Sequence, residues 1–381
     1  MSLIHVMFEL DDQIVNGLAT GDLERIGGVI REVDTKRIVA WLRQVGPSTN
    51  LSQLLRFTSV ASALDLAVST MSFAVMMKRL NAIETQLQLA QEVLQAVDYK
   101  VDLSFYANFR AAIELAKNAF TMSRYENRKV SASQAINRFL EAEQHYKHLV
   151  DLELKQASQV ADEYLLTLAL AHVAEVRCYL QLEELATAHR RFQEGAAQLR
   201  PRFERLVRTL LTSNPAVYLH PELKDQIDLS RLTRVYQWLE PGWDENSVFQ
   251  AQRENFFKAA QELDTCGNVL PGEYRIDEKG RLARLRDAIP SRLPSFARDR
   301  TAETKPDDIT PFDRLAVMFD LIEQAVESDC RYQTYGTEIE AALQLDMSFK
   351  EWEQLTAPLT EDDTNPSFVF IKPSEPLQLS A

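Results

Sequence analysis

The chain reads as mainly α: a long helical bundle or coiled-coil hairpin with a small N-terminal β-hairpin. Three observations predict this. Gly numbers 11 and Pro 14 in 381 residues, few breakers for a chain long enough for two or three domains. A strict heptad of apolar positions begins at Phe73. Two runs rich in β-branched residues flank a polar turn near the start of the chain.

That turn comes first. Val29–Val33 and Ile38–Leu42 enclose Asp34-Thr35-Lys36, which predicts a hairpin over 28–44. A lone two-stranded hairpin is marginal in water, so it needs a helix or a further strand. The IHVMFEL segment near the start and SFVFIK at 367–372 are the candidates. Gly46-Pro47-Ser48 closes this module. No Gly or Pro occurs from Leu51 to Lys100, and helices are expected from there on. Further helices are predicted at about 102–123, 131–157, 159–186, 188–212, 229–240, 245–264, 311–344 and 348–356. The organisation read from breakers is a module at 1–47, a long-helix bundle at 48–212, a C-terminal mostly helical region at 213–359 and an extended tail at 360–381.

The stretch Phe57–Met77 is read as an apolar helix. Asp65 is its only charge, and Leu64, Leu66 and Val68 lie beside it. The length suits a membrane span, but the energy does not. Its Leu, Phe and Val residues contribute about −2 to −4 kcal/mol on the insertion scale, and a central Asp costs about +3. Small residues at Ser59, Ala63 and Ala67 recur every four positions and allow another helix to come close. The blander expectation is a central bundle helix, apolar all round because it is surrounded. Phe73, Met76, Leu80, Ile83, Leu87, Ala90, Leu94, Val97 and Val101 then alternate spacings of three and four, the mark of a coiled-coil seam about 42 Å long. Its partner is a later helix of the same chain or a second copy.

Chemistry is harder to find. The P-loop, G-x-S-x-G and HExxH patterns are absent from the sequence. Glu141, Glu143, His145 and His148 cluster on one predicted helix, but the spacing matches no known metal signature, and a solvated amphipathic face is the expectation. His172 and His189 read as ordinary. Cys178, Cys266 and Cys330 show neither CxxC spacing nor a disulfide framework. Neither a catalytic residue, a cofactor nor a metal is assigned. A net charge of −14 argues against a surface that grips nucleic acid as a whole. Arginine-rich runs at 188–212 and 275–300 are expected to pair with acidic neighbours. No secretory signal is read at the N-terminus, so the cytoplasm is the expected location.

The apolar run Phe57–Met77 followed by the heptad resembles the pattern of α-helical pore-forming toxins, which hide an apolar segment among long helices. The resemblance covers about an eighth of the chain. It implies a non-enzymatic protein that self-assembles and contacts membrane lipid, through Phe57, Leu64, Asp65, Leu66, Val68, Phe73, Met76, Leu80, Ile83, Leu87 and Leu94. The alternative is a cytosolic scaffold or interaction module in which the same segment is permanent core. Partners under either reading are a second copy or another helical protein.

Overall fold

The computed structural model describes residues 3–7, 12–44, 64, 66–69, 71–94, 104–157, 160–211, 218, 223, 226–254, 311–355 and 368–379. It is mainly helical, with a small antiparallel sheet. The chain forms two compact units. One comprises Met1–Leu152, Glu163–Arg202 and Glu327–Ala381; the other comprises Glu153–Asp162 and Phe203–Val326.

The first unit contains the sheet. Its strands are β1 (Leu3–Met7), β2 (Leu23–Ile26), β3 (Val29–Glu32), β4 (Ile38–Gln44) and β5 (Phe368–Pro373), in the order β1-β5-β4-β3-β2. The expected hairpin is β3–β4, with Val29 opposite Trp41 and Lys36 in the left-handed region of the turn. Both candidate strands join it: β5 pairs with β4, and β1 pairs with β5. Gly27-Gly28, just before this hairpin, form the two-residue turn of a second one, between β2 and β3, where Ile26 faces Val29. Gly27 has φ of +53°, which suits glycine at such a turn.

Alternation along β4 buries both faces. Ala40 and Leu42 join Ile14, Ile30, Leu66 and Phe370 in one apolar cluster, completed by Leu18 and Leu23. Ile14 and Leu18 are one helical turn apart on α1 (Asp12–Thr20), which therefore covers that face. Trp41 and Arg43 point the other way. Trp41 donates from Nε1 to Thr337 Oγ1 at 3.1 Å, and its ring meets Trp352 edge-on.

Besides α1, the helices of this unit are α2 (Phe73–Leu94), α3 (Ser104–Thr121), α4 (Tyr125–Lys155) up to Leu152, α5 (Ala161–Gln181) from Glu163 and α6 (Leu185–Leu210) up to Arg202, then α8 (Pro311–Gln344) from Glu327 onward and α9 (Phe349–Gln354). The heptad residues Phe73, Met76, Leu80, Ile83 and Leu87 are all buried, and α2 packs on α3. Phe73 stacks on Phe120, and Arg110 pairs with Glu84, so the two helices run antiparallel. Tyr106 and Phe109 of α3 meet Tyr146 and Phe139 of α4. The tight turn from α5 to α6 places Glu183 in the left-handed region, and its carboxylate accepts from the backbone N–H of Phe349 and Lys350 at the start of α9. Ser348 and Glu351 add a reciprocal cap there.

The helix expected over 57–77 begins only at Phe73 among the described residues. Residues 64, 66–69, 71 and 72 form an irregular strap. The reason lies in its carbonyls. Arg331 Nη1 donates to Leu64 O at 2.5 Å and Arg177 Nη1 to Ser69 O at 3.4 Å, so side chains, not later N–H groups, take those acceptors. Ser72 then starts α2, its carbonyl accepting from Met76 N at 2.9 Å. The helix that is buried all round is instead α5, whose residues from Ala161 to Cys178 are all inaccessible.

The second unit holds α7 (Leu229–Leu239), capped by Asp228 through Arg231 N. Arg231 is its electrostatic centre. It donates to Glu323 at 2.6 and 3.0 Å and to Asp320 at 2.8 Å, and lies over the Phe319 ring. Tyr218 packs edge-on against Phe319.

Candidate functional site

Three helices of the first unit bring a polar cluster into an otherwise apolar interior. On α4 the buried positions run Phe139, Glu143, Tyr146, Val150, so Glu143 fills a core position of the helical repeat. On α5 His172 and Glu175 are three residues apart and share a face. On α6 Ala188, Phe192, Gly195 and Leu199 continue the same three-four spacing, with a glycine where an apolar side chain is expected. Arg191 stands beside this stripe, and Tyr332 arrives from α8.

Arg191 ties the carboxylates together. Its Nε donates to Glu175 Oε1 at 2.7 Å, and Nη2 donates to Glu175 Oε2 at 2.8 Å and to Glu143 Oε2 at 3.0 Å. Nη1 reaches Glu194. His172 Nδ1 lies 3.2 Å from Glu143 Oε2. Among the described residues, neither nitrogen of His172 has a hydrogen-bond partner, nor does Glu143 Oε1 or the Tyr332 hydroxyl. Each of these side chains is at least nine-tenths buried. Gly195 explains how they fit: a Cβ there would lie 2.2 Å from Tyr332 Oη and 3.2 Å from His172 Nδ1. Glycine inside a helix costs about 1 kcal/mol against alanine, and here it gives room to the polar groups.

Burial sets the protonation. It pushes the His172 imidazole down to about 4, against the opposing pull of Glu175. It pushes Glu175 up to about 7 and Glu143 upward, although Arg191 counteracts both. Arg191 itself is raised by its hydrogen bonds to Glu175. Burial also holds the Tyr332 hydroxyl in its neutral form. Glu143, His172 and Glu175 each present one ligand-capable atom, and the three lie within 4.8 Å of one another.

The sequence grouping of Glu141, Glu143, His145 and His148 is thereby split. Glu143 turns inward. Glu141 is exposed and pairs with Arg138, and His145 stacks on Phe105. His172, read from the sequence as ordinary, and Glu175, not singled out there, complete the cluster. The available signal was a His and a Glu three apart inside the apolar run 164–180.

Of the residues assigned to an assembly or membrane segment, Leu64, Leu66, Val68, Phe73, Met76, Leu80, Ile83 and Leu87 are buried. Leu94 closes α2. Phe57 and Asp65 lie outside the described residues, as does the arginine-rich run 275–300. Five of the six arginines of the run 188–212 are paired: Arg191 as above, Arg190 with Glu194, Arg200 with Asp329, Arg202 with Asp151 and Arg208 with Glu240. Burial raises the thiols of Cys178 and Cys330, which leaves them as poor nucleophiles.

The chain matches no family model, no curated protein and no solved structure. Among the described residues, no helix is long and apolar enough to cross a membrane.

A second polar site holds the strap. Ser69 Oγ donates to Glu338 Oε2 at 3.3 Å, which also accepts from Trp352 Nε1 at 3.0 Å. Burial raises Glu338 despite Arg43, whose guanidinium lies 3.8 Å away and over the Trp352 ring. At the other end, Glu327 accepts from Arg25 at 3.0 and 3.1 Å and from Arg331 at 2.9 Å. Burial alone would raise Glu327, but the two guanidiniums hold it below the usual carboxylate range.

Proposed function

We propose that the protein is a non-enzymatic helical scaffold in the cytoplasm whose apolar 64–72 segment is permanent core. It works by contact with a second copy or with another helical protein. In this reading the α2–α3 pair is an intramolecular coiled-coil hairpin, and the heptad seam is spent inside the chain.

The observation that carries this is the anchoring of the strap. Leu64, Leu66, Val68 and Met71 are essentially inaccessible. The carbonyls of Leu64 and Ser69 are held by Arg331 and Arg177. Release toward a bilayer would expose four large apolar side chains, at about 1.5–3 kcal/mol each, before any lipid contact is made. Insertion returns about −2 to −4 kcal/mol, which Asp65 nearly cancels. The balance favours retention over the pore-forming reading.

Dye release from anionic and neutral vesicles tests this. Wild type and Asp65→Leu are compared after circular dichroism shows both folded. The substitution shifts insertion by roughly 3.5 kcal/mol toward the bilayer. Scaffold behaviour predicts no release by either protein. Release by wild type at micromolar concentration returns the pore-forming reading.

A further inference from the structure

We propose that Glu143, His172 and Glu175 bind one divalent first-row transition-metal ion of the zinc or iron(II) class. The inference goes beyond the scaffold reading and does not depend on it.

The geometry is the first argument. Metal bonds of about 2.0–2.1 Å to imidazole and carboxylate, at a tetrahedral angle, place neighbouring ligand atoms about 3.3 Å apart. His172 Nδ1 and Glu143 Oε2 stand 3.2 Å apart without forming a hydrogen bond, the separation expected of two ligands of one ion. One ligand atom of Glu175 lies within 4.8 Å of both. Closing that gap needs a side-chain adjustment of up to about 1.5 Å, within reach of a carboxylate rotation.

The unsatisfied groups are the second argument. A buried imidazole normally orients itself by a hydrogen bond from one nitrogen. His172 is almost wholly inaccessible and, among the described residues, has no such bond on either nitrogen. Glu143 Oε1 is free for bidentate binding. The Tyr332 hydroxyl, also without a partner among the described residues, borders the same space above Gly195. An ion would satisfy these groups together.

Arg191 is the resident competitor, since its guanidinium already contacts both carboxylates. Two carboxylates against one guanidinium still leave room for positive charge. With an ion present, Arg191 becomes the donor that orients the ligating carboxylates, a role such outer partners commonly fill. The donor set of one imidazole and two carboxylates selects against calcium, which takes six to eight oxygens, and against magnesium, which keeps several waters.

Full-length protein is stripped with EDTA, incubated overnight with Zn²⁺ because the site is enclosed, and dialysed. Bound metal is then counted by mass spectrometry. One ion per chain is expected, retained in millimolar Mg²⁺ or Ca²⁺. Co²⁺ should give the visible bands of a four- or five-coordinate nitrogen–oxygen site. His172→Gln and Glu143→Gln should each weaken Zn²⁺ by at least roughly tenfold. Glu141→Gln, on the exposed face of the same helix, should not. Should the two inner variants fail to fold, the imidazole ¹⁵N shifts of wild type still report coordination. An unloaded wild type would show that the cluster is complete as an ion-pair network, and would overturn the proposal. So would full affinity in folded His172→Gln, displacement by Mg²⁺, or imidazole shifts unchanged by Zn²⁺.

Discussion

Gly28→Ala tests how closely the strap is held to the sheet. A Cβ at Gly28 would fall 2.0 Å from Leu66 O, where ordinary contact begins at 3.4 Å, a shortfall of about 1.4 Å. Neither side can retreat freely. Gly28 N donates to Thr334 Oγ1 at 3.1 Å, and its carbonyl accepts from Leu42 N at 2.7 Å. The strap is fixed on both sides of Leu66 by Arg331 and Arg177. Displacing Leu66 from its cluster costs about 1.5–3 kcal/mol. Losing the bond to Thr334 adds about 1 kcal/mol. The stiffer unfolded chain returns about 0.4–1 kcal/mol. The net expectation is a loss of about 1.5–3.5 kcal/mol, read from urea unfolding followed by Trp fluorescence and circular dichroism. Gly242→Ala is the control, since a Cβ there meets nothing within 4 Å. If Gly28→Ala unfolds at the same urea concentration as Gly242→Ala, the close approach is not made and the core role of the strap fails.

Leu87 is fully inaccessible on the seam of α2, so Leu87→Asp should cost about 3–5 kcal/mol, and an unchanged melting temperature would remove it from the core. Glu327 is held low by Arg25 and Arg331, so its contribution is present above the usual carboxylate range and is lost as pH falls through its depressed value. Glu327→Gln should flatten the acid limb of a stability–pH curve, and a curve parallel to wild type would contradict the ion pairs. In metal-free protein His172 and Glu175 should oppose each other. His172, lowered from 6.5 to about 4, makes stability rise with pH across that window. Glu175, raised from 4.5 to about 7, makes it fall. Glu175→Gln should therefore expose a rise of up to about 3 kcal/mol between pH 4 and 6.5, and a flat profile in EDTA would refute the assignment.

Much of the helical layout was legible because it rests on local signals. α8 keeps the predicted span of 311–344, with Pro311 at its start, and the buried seam of α2 follows its heptad. The hairpin at Asp34-Thr35-Lys36 was equally plain, since its β-branched runs declare period two. What failed was set at long range. Phe57–Met77 reads as helix by composition, yet Arg331 and Arg177, distant in sequence, claim the carbonyls of Leu64 and Ser69. β2 was missed because LERI is short and half polar, and its strand character comes from pairing with β3. The Glu143–His172–Glu175 cluster joins two helices, so no single window contains it. Its traces were a Glu and a Gly at core positions of two amphipathic repeats, and a His and a Glu within an apolar run.

The sheet's strand order also constrains the sequence of events in folding. β4 and β5 are neighbours, with Gln44 opposite Phe368, so almost the whole chain lies between two strands that must meet. Closing a loop of that length carries an entropic penalty of about 5 kcal/mol, repaid only once the strands pair. Helices with local contacts form in microseconds, whereas such distant pairing is slow. During synthesis the β2–β3–β4 meander leaves the ribosome early, and its β4 edge waits for a partner until residue 373 emerges. The edge of β4 that β5 will occupy, like β1, thus stays unpaired through most of synthesis, and is a place where a chaperone or a neighbouring chain would find backbone to bind.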